Sequence, residues 1–288
     1  MKIITGFHLN RNNETLNDRD NKPRVSIAIL AVIIVLCLFA GVIAPYTSGD
    51  MDELALNQSP TIAHIFGTDT LGRDLFSMVL YGGRVSIYIG LLATVISTLI
   101  ALLYGCISGI AGEHIDDIMM RFTELIMSIP AILLVIFLQA IWGNPTPTSI
   151  AVVIGLTHWM TISKVIRSEV RQIGRSDYVL AAKTMNGSFL YILRKHLAPN
   201  FVSSIMFMVV MNIGAAIGTE ATLSFLGLGL PLTTVSWGSL MSMSQDVMLS
   251  NSWWLILIPG IFLVTTLMCI TAIGEYIRKS NNRLYSNL

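Results

Sequence analysis

From Val85 to Ala111 the chain contains no Asp, Glu, Lys or Arg. A helix over that stretch would be about 40 Å long, more than the roughly 30 Å of a bilayer's hydrocarbon core. Comparable apolar runs recur at Val25–Ala44 (stopped by Pro45), Phe122–Trp142, Ser149–Ile166, Phe201–Ala221 and Trp254–Ile273. Hydrophobic residues make up 53% of the 288, charged residues only 12%, and the mean hydropathy is +0.69. Soluble domains carry about twice that charge. A fold in water would have to bury nearly everything, whereas lipid solvates such surface directly. The sequence therefore predicts an all-α integral membrane protein with six transmembrane helices and both termini on one side.

The distribution of basic residues sets the orientation, because cytoplasmic loops are enriched in Lys and Arg. With the N-terminus inside, Lys2, Arg11, Arg19, Lys22, Arg24, Arg121, Lys164, Arg167, Arg171, Arg175, Lys183, Arg194, Lys195, Arg278, Lys279 and Arg283 are cytoplasmic. Only Arg73 and Arg84 fall outside, in a long loop that also holds Asp50, Asp52, Glu53, Asp69 and Asp74. The expected organisation is a polar, disordered cytoplasmic leader over residues 1–24, a transmembrane domain over 25–280, and a cytoplasmic tail over 281–288. The leader lacks the early apolar segment of a secretory signal. A net charge of +1 argues against nucleic acid as a partner. Cys37, Cys106 and Cys269 each sit in an apolar run without metal-site spacing or a disulfide pattern.

The longest cytoplasmic connection spans about 167–200. Ser176 is a plausible N-cap, with Asp177 where a helix dipole favours negative charge. Tyr178 to Met185 are mostly good helix formers, Asn186-Gly187 end a helix, Ser188 can cap the next, and Pro199 closes it. Two short helices around a tight bend result. Ala181 and Ala182 leave a smooth face for another backbone, ringed by Arg171, Arg175, Lys183, Arg194 and Lys195. A solvated return loop is the alternative, but it has little need for capped helices.

This segment resembles the EAA loop of ATP-binding-cassette importer permeases, through Ala181-Ala182 and Pro199. The usual Gly position is Asn186, with Gly187 one place later, and the usual Leu before Pro is Ala198. His64 through Leu75 resembles the stretch before the second span in permeases for dipeptides, oligopeptides and nickel. Asp177-Tyr178-Val179, His196 through Asn200, Leu223 through Gly229 and Ser236-Trp237-Gly238 resemble the same family, in its subunit usually lettered C. The likeness covers about residues 25–280. It implies the type I importer permease fold and a transport subunit that is not an enzyme. It also implies a homologous second permease, two cytoplasmic ATPase subunits on the EAA loops, and an extracellular solute-binding protein. ATP would be bound by those partners, since this chain has no phosphate-binding loop of the form Gly-x-x-x-x-Gly-Lys-[Ser/Thr]. No cofactor is expected on the chain itself.

Ionisable groups within spans are functional candidates by default. Glu220 is either hydrogen-bonded locally or a gate or solute contact. His158 is either a packing residue or part of the pathway. Glu124 pairs with Arg121 or Lys164. Asp69 is expected to cap an interfacial helix, with Arg73 on an outer carboxylate. The methionines form no Met-x-x-Met array in an outer segment, and no metal site is expected. A membrane-embedded hydrolase would need convergent side chains, but the five histidines are scattered. A secondary carrier would show repeats and several buried charges. For the solute, a peptide stands first and nickel or another metal chelate second.

Overall fold

The computed structural model describes residues 23–174, 198–231, 233–243 and 252–286. The helices are α1 (Arg24–Leu38), α2 (Ala40–Ile43), α3 (Leu75–Ile110), α4 (Glu113–Met127), α5 (Ala131–Trp142), α6 (Pro147–Gly174), α7 (Ala198–Phe225), α8 (Trp237–Met243) and α9 (Trp254–Ser286). Four of them, α3, α6, α7 and α9, are long and apolar enough to cross a membrane, and α4 with α5 makes a fifth candidate. α1 is apolar but has only 15 residues. The bundle has a loop end, with the segment between α2 and α3, and a basic end, with Arg167 and Arg171.

The frame is the pair α3 and α6, packed side by side and running in the same direction. Small residues permit it. Gly155 of α6 lies against Ala93 and Ile96, Gly105 of α3 against Ser163 and Ile166, and Gly109 against Arg167 and Val170. Membrane helices associate through such close packing because lipid offers no hydrophobic drive between them. α7 crosses the pair where Gly90 meets Ile213 and Ile217. Tyr104, Ala101 and Cys106 of α3 pack with Trp159, Ile162 and Ile166 of α6 near the basic end. Cys37, Met78, Trp237 and Leu255 form a second core at the loop end.

The expected third span, Phe122–Trp142, is not one straight helix. It breaks at Ser128–Pro130, and the two halves meet at 88°. Pro130 explains the break: it cannot donate to the helix ladder, and it disfavours helical backbone at Ile129. α4 is amphipathic and carries Glu113, His114, Asp116, Asp117, Arg121 and Glu124, whereas α5 is apolar except for the buried Gln139 and ends at Gly143 (φ 91°). The expected second span is longer than Val85–Ala111 because capping begins at Asp74.

Candidate functional site

The segment after α7 folds back onto the bundle, and one carboxyl holds it. Glu220 is fully buried in the last turns of α7. It accepts hydrogen bonds from Ser86 Oγ of α3 (3.0 Å), Ser224 Oγ (2.8 Å) and Ser236 Oγ (2.7 Å). Each of those serine oxygens already accepts a backbone N–H, from Trp237, Leu230 and Ser239 respectively. Each hydroxyl hydrogen is thereby aimed at Glu220. Among the described residues no cation pairs with this carboxyl. A buried polar group without such partners costs several kcal/mol in an apolar medium.

Glycines let the returning backbone approach. A Cβ on Gly238 would lie 2.5 Å from Ala221 Cα, and one on Gly83 would strike Cys37 Sγ and the Trp237 ring. Trp237 is fully buried and donates from Nε1 to Val79 O at 3.0 Å. The motifs Leu223–Gly229 and Ser236–Gly238 thus form one unit around Glu220.

The stretch from His64 to Leu75 is also a built element. Asp74 caps α3, accepting from Ser77 N (2.8 Å) and Ser77 Oγ (2.7 Å), and His64 Nδ1 lies 2.9 Å from its other oxygen. Asp69 is therefore not the helix cap. It accepts from Leu71 N and Arg73 N and pairs with the Arg73 side chain at 2.6 Å, so the carboxylate partner of Arg73 is its own neighbour in the turn. Gly72 holds φ 74° there, with Asp52 O against it. Trp254 Nε1 donates to Thr68 O (3.2 Å) and Ser252 Oγ to Asn57 Oδ1 (2.8 Å), which ties this loop to the start of α9. Further out, the Thr47 backbone and side chain donate to Asp50 and hold its carboxyl below the usual range.

His158 of α6 opens onto a cavity of about 650 Å³. The α4–α5 bend forms one wall with Met127, Ile129, Pro130 and Ala131; α6 and α7 form the others, with Thr157, Thr161, Met208, Met211 and Asn212. Asn212 Nδ2 donates to Ser97 Oγ (2.7 Å), and Thr219 Oγ1 lies 3.5 Å from His158 Nε2. The lining is mostly apolar with a few convergent polar groups, the usual character of a small-molecule site. His158 and Glu220 do not meet: Glu220 serves the returning segment, and His158 faces the cavity.

At the basic end another buried carboxylate has the opposite chemistry to Glu220. Asp116, in the first turn of α4, is about 1% exposed. Arg167 grips it through Nε (2.5 Å) and a second guanidinium nitrogen, and Arg171 adds a contact at 2.7 Å. Ser108 Oγ of α3 donates to the same carboxylate. Lys164 and Glu124 pair loosely, 3.8 Å apart at the surface.

The sequence reading passed over Asp116, Ser86 and Asn212. Their partners lie 51, 134 and 115 residues away, and no local pattern announces such pairs. Of the expected coupling residues, Asp177, Tyr178, Ala181, Ala182, Lys183, Asn186, Gly187, Ser188 and His196 lie outside the described residues. Pro199 stands in the first turn of α7, where a missing N–H costs nothing.

Comparison with known proteins agrees with this architecture. Residues 101–283 match the family described as binding-protein-dependent transport system inner membrane component. The chain is 35% identical over 247 residues to the dipeptide transport system permease protein DppC of Bacillus subtilis (strain 168), covering 86% of this chain and 77% of the relative. It is 34% identical over 264 residues to the oligopeptide transport system permease protein OppC of the same organism, covering 91% and 86%. The helical bundle, the loop-end motifs gathered around Glu220 and these matches together place the chain in that family: it is a multi-pass membrane permease subunit of a type I ATP-binding-cassette importer.

Proposed function

We propose that this subunit forms one half of a peptide pathway, enclosed with a homologous second permease and driven by ATPase subunits. The cavity at the α4–α5 bend carries the reading. Its volume of about 650 Å³ is of the size that holds small organic ligands, and its methionines can adapt to varied side chains. His158 and Asn212 supply polar contacts on an otherwise apolar wall. The names of DppC and OppC favour a peptide over nickel or a metal chelate. Among the described residues no group of three or more His, Cys, Asp or Glu is placed to hold a metal ion.

In this reading the basic end and both termini are cytoplasmic, by the asymmetry of Lys and Arg. α1 with α2, and the bent pair, bring the spans to six. Two ATPases dock on the paired connections at 167–200, with Ala181, Ala182 and the Asn186-Gly187 bend at the contact. A binding protein delivers solute at the loop end, and nucleotide shifts the bundle between two packings of similar energy. Glu220 holds the outer return segment shut over the pathway as a gate. Uptake of radiolabelled dipeptide and of nickel, compared in a strain lacking its own systems, tests the solute. Dipeptide uptake that requires the intact ATPases is expected; nickel uptake without dipeptide uptake would overturn the assignment.

A further inference from the structure

We propose that Asp116 is the positioning residue that carries movement from the cytoplasmic connection to the cavity wall, and that α4 is the lever it drives. This rests on the reading above, in which the ATPases act on the connection that follows α6. Four observations lead to it. Arg167 and Arg171 lie one turn apart on the last turns of α6, just before Gly174, where the connection begins. Both guanidinium groups converge on one carboxylate, Asp116, in the first turn of α4. α4 is a helix of 15 residues, about 22 Å long, with no internal glycine or proline to absorb a push. At its far end, beside the break, stand Met127, Ile129 and Pro130, which line the cavity.

The remaining ties of α4 fit a lever better than a fixed beam. Tyr104 Oη donates to Met119 O (2.6 Å), and Thr123 Oγ1 lies 3.3 Å from Tyr104 Oη, so α3 holds α4 near its middle. Much of the rest of α4 is exposed, including Ile115, Ile118, Phe122 and Leu125. The helix is thus gripped by two arginines at one end and held at the centre, while toward the bend it has the loose, exposed Glu124–Lys164 pair and Ile126 against the α3–α6 core. A displacement of the α6 terminus enters at Asp116 and leaves at Met127. A charge pair suits this role because two arginines on one carboxylate resist both extension and rotation, as a single hydrogen bond does not.

The test uses the assembled transporter in proteoliposomes, with Met127→Cys labelled by a membrane-impermeant maleimide. The reporter needs no transported solute, so it works whatever the cargo is. ATP is expected to change the labelling rate of Met127→Cys about tenfold, and adding Asp116→Asn is expected to abolish the change while ATP hydrolysis stays within about twofold. A nucleotide-dependent change that persists in Asp116→Asn overturns the proposal. Arg167→Gln with Arg171→Gln provides a second arm that breaks the same tie from α6. It should likewise abolish the nucleotide response at Met127→Cys; a response that persists in this double variant overturns the proposal even where Asp116→Asn does not assemble. If the wild-type chain binds no ATPase at all, the docking reading itself falls.

Discussion

Glu220 at the loop end and Asp116 at the basic end are both buried carboxylates, and they are satisfied in opposite ways. Glu220, at the loop end, is surrounded by hydroxyls that donate in fixed directions and by no cation among the described residues. Asp116, at the basic end, is clamped by two guanidinium groups that are a quarter to a third exposed. Hydroxyls aimed by backbone amides hold one geometry and have no reach. Two guanidinium groups on one carboxylate make a stronger tie, but one that solvent and salt screen. The loop end is therefore held by the direction of its hydrogen bonds and the basic end by charge.

The largest effect should come from removing the acceptor at the loop end. Glu220→Ala leaves three aimed hydroxyls without a partner, and about 3 kcal/mol of stability should be lost, with Glu220→Gln losing clearly less. Unfolding of the purified chain in a denaturing detergent measures both, and an unchanged Glu220→Ala midpoint would refute the idea that this carboxyl organises the segment. Gly238→Ala should follow at about 2 kcal/mol, since its Cβ meets the Ala221 backbone, which cannot yield as a side chain can. At the basic end, Arg167→Ala and Arg171→Ala should each cost only about 1 kcal/mol, because the other arginine remains and solvent screens the pair. The double variant should cost more than their sum, since it alone strands Asp116, and a double-mutant cycle reads that excess.

Salt separates the ends more gently. Raising ionic strength to about 1 M shortens screening to about 3 Å, which should weaken the Asp116 tie by a few tenths of a kcal/mol and leave Glu220→Ala as costly as before. Equal salt dependence at the two ends would erase the distinction. The smallest effect lies outside both. Asp50 is held below the usual carboxylate range by Thr47, so the turn's contribution is present above the ordinary value of about 3.9 and fades as pH falls through the lowered one. A fall in the protection factor of the Thr47 amide, taken against its intrinsic exchange rate at each pH, would show it.

Much of this was legible in the residues because its causes are local. The helices follow from apolar runs, but the cap expected at Asp69 is held five residues later, by Asp74. Gly227, Gly229 and Gly238 sit where the backbone turns or meets another backbone. Pro130 also carried its signal, but a continuous apolar run to Trp142 outweighed it in the reading of one straight span. Glu220 was visible as a buried ionisable group, while Ser86, its partner from α3, looked like any small residue in a packed helix. Asp116 and its arginines belong to segments whose meeting depends on α3 and α6 packing in parallel, and no short pattern encodes that.

The lengths of α3 and α5 bear on the membrane around them. At 36 residues α3 is about 54 Å long and overshoots the hydrocarbon layer, while the 12 residues of α5 reach only about 18 Å. A thicker or thinner lipid sheet merely tilts the long helix, but beside the short one lipid tails must compress or neighbouring protein must fill the gap. The polypeptide is thus least tolerant of its lipid composition on the α5 flank, the same flank that borders the cavity.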